Sequence, residues 1–120
     1  MVKVSLMGES VVLRLDGEQK LWAVKSRLPI PLESIEDVQT DEVPVRLFRG
    51  FRVGTYIPGM FVAGTFYTRA GKWFCYFRDR RKCVTLTLKG TEYRTAIFEV
   101  DDKEGVAEAI RSRLRERTRT

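Results

Sequence analysis

What most constrains this chain is the order of its hydrophobic patterns. From Ser10 to Val100 apolar residues alternate with polar ones or gather in short β-branched and aromatic runs, and only after Asp101 does the period become helical. A half-buried strand shows successive side chains to opposite faces, whereas a helix returns to one face every three or four residues, so neither pattern substitutes for the other. Strands followed by one helix predict a mainly β fold, a small barrel or sandwich whose open end the terminal helix covers. Its 120 residues fit one domain, 1–120, with strands over about 2–100, a helix over about 102–115 and a frayed basic tail over 116–120.

Val2, Val4 and Leu6 alternate with Lys3 and Ser5 before Gly8, and Val11, Leu13 and Leu15 make the next strand. Asp16-Gly17 reads as a hairpin turn into Leu21 to Lys25. Pro29 and Pro31 are expected to interrupt pairing. Leu32-Glu33-Ser34 suits a single turn before a strand near Ile35 to Val43. From Phe61 the pattern predicts a meander: Phe61 to Thr68, Lys72 to Arg78, Cys83 to Lys89 and Tyr93 to Val100. That arrangement sets Cys75 and Cys83 on adjacent strands of one hairpin, and both are expected to be reduced thiols. In the helix, Asp101 as N-cap and Glu104 three residues on fit a capping box. Val106, Ile110 and Leu114 form its apolar stripe, and Gly105 in the first turn costs about 1 kcal/mol relative to alanine.

The formal net charge is +6, and its distribution is uneven. Glu33, Glu36, Asp37, Asp41 and Glu42 fall between Pro31 and Pro44 with no basic residue among them, whereas Arg46 to Lys82 and Arg111 to Arg119 are strongly basic. Such segregation steers anionic partners or sets up head-to-tail contact between copies. The chain has no histidine, and its two cysteines match no zinc spacing, so neither metal nor cofactor is expected. Asp101-Asp102 is explained by capping, and Glu36-Asp37, on a strand, would point to opposite faces, so no carboxylate pair is expected to act as acid and base. The chain reads as non-enzymatic. It lacks an apolar run of membrane-spanning length and the pattern of a signal peptide, which makes cytoplasmic the expected location.

Pro44 to Met60 is too long for an ordinary loop in so small a domain. It interleaves Arg46, Arg49 and Arg52 with Phe48, Phe51 and Tyr56, residue types enriched at interface hot spots, and is the first candidate for a binding surface. The turn bearing Arg80 and Arg81 is the second. Arg49-Gly50-Phe51 matches only the opening of the RNA-recognition strand motif, so nucleic acid is not the expected partner. Gly54, Gly59 and Gly64 lack the lysine of a P-loop. Trp22, Trp73, Phe74, Tyr76 and Phe77 are read as core.

Ile30-Pro31-Leu32-Glu33-Ser34-Ile35-Glu36-Asp37-Val38, Gly54-Thr55-Tyr56-Ile57-Pro58-Gly59, Gly64-Thr65-Phe66 and Val100-Asp101-Asp102 together resemble the bacterial pleckstrin-homology-like domain family. The resemblance runs from Leu13 to Leu114. It implies a PH-like barrel of two nearly orthogonal antiparallel sheets, about seven strands in all, capped by the helix. It also implies a non-catalytic interaction or scaffolding module that binds another protein or itself as a homo-oligomer. Pleckstrin-homology domains in general suggest an anionic lipid surface instead, gripped here by the basic loop and arginine-rich tail. The first hairpin tip, Asp16-Gly17-Glu18-Gln19-Lys20, is acidic and departs from that lipid-binding pattern.

Overall fold

The computed structural model describes residues 2–15, 27–43, 53–57, 61–68 and 71–119. Three strands, β1 (Val2–Met7), β2 (Ser10–Leu15) and β3 (Arg27–Pro31), form an antiparallel sheet in that order. Gly8, at φ 60°, supplies the positive φ that the two-residue turn from β1 to β2 requires. The prolines do not interrupt pairing: Pro29 lies opposite Val12 and Pro31 opposite Ser10. β3 is an edge strand, and an edge strand tolerates residues with no N–H to donate.

A single 3-10 turn (Leu32–Ser34) leads into β4 (Ile35–Gln39), the first strand of a second sheet. β5 (Val53–Ile57), β6 (Phe61–Thr68), β7 (Gly71–Phe77), β8 (Cys83–Leu88) and β9 (Tyr93–Glu99) complete it in the order β4-β8-β9-β7-β6-β5. The fold is mainly β with a C-terminal helix, and among the described residues the sheets have three and six strands and neither closes on itself. The predicted meander is corrected. β9 lies between β7 and β8, antiparallel to β8 and parallel to β7. A parallel pair needs a long return path, and the excursion through β8 provides it. Cys75 and Cys83 are therefore not hairpin neighbours: Cys75 faces Ile97 and Cys83 faces Glu99, with β9 between them, and both are buried free thiols. β5 also falls inside the stretch that the sequence suggests is a long loop.

One face of the larger sheet, with Phe74, Tyr76, Leu86, Leu88 and Phe98, packs with Val11, Leu13 and Ile30 of the smaller sheet. The opposite face carries a second cluster of Val43, Phe66, Cys75, Phe77, Cys83 and Ile97, with Trp73 against it. Register shifts adjust the first face. In β4 one falls between Ile35 and Asp37, so Ile35 and Val38 are both buried while Glu36 and Asp37 are both exposed. The expectation that those two carboxylates point to opposite faces is corrected by this bulge. Where β9 pairs with β7, a second shift lets both Tyr93 and Ala96 join the core, with Tyr93 edge-on to Phe74 at 5.8 Å between centroids.

The helix α1 (Lys103–Arg119) runs beyond the predicted end near 115 and through residues 116–119 of the expected frayed tail. Its cap is Asp102 rather than Asp101: Asp102 Oδ1 accepts from the Gly105 amide at 3.0 Å. Gly105 has a use that its helix propensity conceals, because a Cβ there would collide with the Asp102 carboxylate. Ala107 and Ile110 are fully buried in the main core, with Val106 and Leu114 packed beside them. Among the described residues no helix is long and apolar enough to cross a membrane.

Candidate functional site

The face of the larger sheet turned away from α1 carries a groove of about 260 Å³. Its floor follows from strand alternation. Leu86 and Val84 turn into the main core, so Thr85 and Thr87 of β8 turn outward, beside Thr95 and Ile97 of β9. Register places Trp73 of β7 next to Thr95, and Gln39 of β4 next to Thr85. Asp41, Glu42 and Val43, which follow β4, complete the lining.

That segment is held in place by the β7–β8 turn. The Val43 amide donates to the Arg80 carbonyl at 3.2 Å. In return the Arg80 guanidinium donates to the Val43 carbonyl at 3.0 Å and to Glu42 at 3.1 Å. The turn is anchored from within. Glu99, buried at the end of β9, accepts from the amides of Arg78 at 2.7 Å and Asp79 at 3.0 Å. Asp79 accepts from the Arg81 amide and side chain, and these bonds hold its carboxyl below the usual carboxylate range. Cys83 donates its thiol to the Asp79 carbonyl at 3.3 Å, and burial pushes its pKa up to about 12.

Chemically the groove offers three threonine hydroxyls, a half-buried indole and an acidic rim. Asp37 stands beside it, accepting from Gln39 at 2.8 Å. Glu42 is partly neutralised by Arg80, while Asp41 is exposed and makes no ion pair among the described residues. The Trp73 Nε1 is enclosed and meets no acceptor among the described residues. This is a locally negative surface on a cationic protein.

Of the residues singled out from the sequence, Arg46, Phe48, Arg49, Phe51 and Arg52 lie outside the described residues. Tyr56 stands in β5 opposite Val62. Arg80 and Arg81 are brought together at the turn, where Arg80 clamps Glu42 and Val43 and Arg81 holds Asp79. Sequence reading missed the groove, although two signals pointed to it: threonines alternating with Val84, Leu86 and Leu88, and the run of acids up to Glu42. No protein-family model, no curated protein and no solved structure matches this chain.

Proposed function

We propose that this chain is a non-catalytic protein-interaction or scaffolding module of the bacterial pleckstrin-homology-like type, and that it self-associates. The observation that carries the reading is β5. It ends the larger sheet, pairs with β6 alone among the described residues, and has no charged residue from Val53 to Ile57. An uncharged edge strand is a template for another chain, because its outward amides and carbonyls seek a ladder. Arg46, Arg49 and Arg52 precede it in the sequence.

Two sheets sharing a core with a terminal helix support the pleckstrin-homology-like reading, with α1 capping one end of the barrel. The parallel β7–β9 pair is the feature such a barrel must accommodate. Three of the described carboxylates, Glu99, Asp79 and Asp102, are committed to backbone amides, which fits a non-catalytic role for them. Attachment to anionic membrane is the weaker reading, because the apolar stripe of α1 is spent on the core. Light scattering across a concentration series, with hydrogen exchange on β5, tests the proposal. Assembly should protect β5 amides as concentration rises, and R46E/R49E/R52E should abolish it while moving Tm by only a few degrees. A chain that stays monomeric, or floats with anionic vesicles in a salt-sensitive way, would overturn it.

A further inference from the structure

We infer that the threonine-floored groove receives arginine side chains from α1 of a second copy, Arg115 foremost. The inference rests on reading the chain as a self-associating module and names a contact distinct from β5. Three observations lead to it.

The first is chemistry. Asp41 at the rim, hydroxyls on the floor and an indole in the wall are groups that hold a guanidinium, through charge-assisted bonds and an aromatic surface, and Glu42 at the same rim already takes the guanidinium of Arg80. At about 260 Å³ the groove is below the range of about 300–1,000 Å³ usual for small-molecule pockets, a size suited to one extended side chain.

The second is supply. Arg111 to Arg119 hold five arginines against Glu116. Arg111 is engaged by the Val38 carbonyl, and Arg117 reaches Glu9 at 3.4 Å. Arg115, 59% exposed where Arg111, Arg113 and Arg117 are half-buried, contacts Glu108 of its own helix, which leaves most of its five donors for another partner.

The third is geometry. α1 packs on one face of the larger sheet and the groove opens on the other, so a helix cannot serve the groove of its own chain. Each copy then presents a basic element on one side of the sheet and an acidic receptor on the other. Such a heterologous contact propagates as a ring or an open chain rather than stopping at a two-fold dimer.

The experiment combines two readouts on the full-length chain. Sedimentation velocity from 50 to 500 mM salt should show assemblies larger than dimers that dissolve as salt rises, because exposed charge pairs are screened beyond a Debye length of about 8 Å at 0.15 M. Asp41→Lys should weaken assembly at least tenfold at low salt, and R115Q/R117Q should do likewise. Trp73 emission, read in a Trp22→Phe background, should change saturably with a peptide spanning residues 111–120, and Asp41→Lys should abolish that change. Assembly unaltered in Asp41→Lys, or Trp73 emission unmoved by the peptide, would overturn the inference. Assembly lost in R46E/R49E/R52E but kept in Asp41→Lys would leave the β5 reading standing and remove this one.

Discussion

Glu99 illustrates what one buried side chain contributes here. Its Oε1 serves two amides of a turn twenty residues earlier in the chain, tying the end of β9 to the β7–β8 connection. Glu99→Ala leaves those donors unmatched and should cost about 2–4 kcal/mol, while Glu99→Gln keeps an oxygen acceptor and should cost about 1 kcal/mol. Urea denaturation of both variants measures the difference. Beside it, Cys83 makes stability depend on alkali. Well below pH 9.0, its ordinary value, the thiol is protonated in both states. Above that, the unfolded thiol ionises while the folded one keeps its proton to about pH 12, so the unfolded state binds fewer protons and stability declines across that window. The urea midpoint should drop as pH rises from 9 towards 12, and drop less in Cys83→Ala. Gly105→Ala follows the same residue-level reasoning. The gain of about 1 kcal/mol in helix propensity is offset by about 1 kcal/mol for a disturbed Asp102 cap, so Tm should not rise.

Among the elements, α1 carries the most consequence for its length. Ile110 is fully buried, and Ile110→Asp should destabilise by on the order of 3 kcal/mol or more through an unpaired charge. A cooperative melt at the wild-type temperature would contradict that packing. The helix also guards an edge. Lys103 donates to the Thr40 carbonyl at 2.6 Å and Arg111 to the Val38 carbonyl at 3.0 Å, so cations occupy one acceptor of β4 and one just beyond its end. The helix was legible in the sequence because Val106, Ile110 and Leu114 repeat at its period. The sequence alone places the cap one residue early because Asp101 and Asp102 are identical in chemistry and only geometry separates them. In β4, Ile35 and Val38 stand three apart, which strict alternation cannot explain. A bulge is invisible to a period-two reading until the partner strand is known.

For the molecule as a whole, strand existence could be read from the pattern but strand order could not. Alternation says that Lys72 to Arg78 and Tyr93 to Val100 each have two faces, but it says nothing about which edge each strand joins. The candidate site was lost for the same reason: Gln39, Thr85, Thr95 and Trp73 come from four strands and meet only through that order. Because β9 is central, a chain ending at Gly90 should show no cooperative thermal transition, since β4-β8 and β7-β6-β5 would have nothing to join them.

The central place of β9 also matters while the chain is being made. β7 and β8 leave the ribosome before the strand that must lie between them. From Phe77 to Glu99, at about 5–20 residues per second, the delay is on the order of 1 to 4 s. Throughout it, the apolar run Trp73–Phe77 and the strand Cys83–Leu88 are the nearest available partners for each other. Pairing them would make the simple hairpin that the mature sheet excludes. Nascent-chain folding therefore passes a point at which the wrong neighbour arrives first, and a chaperone that holds β8 back would speed acquisition of the native sheet.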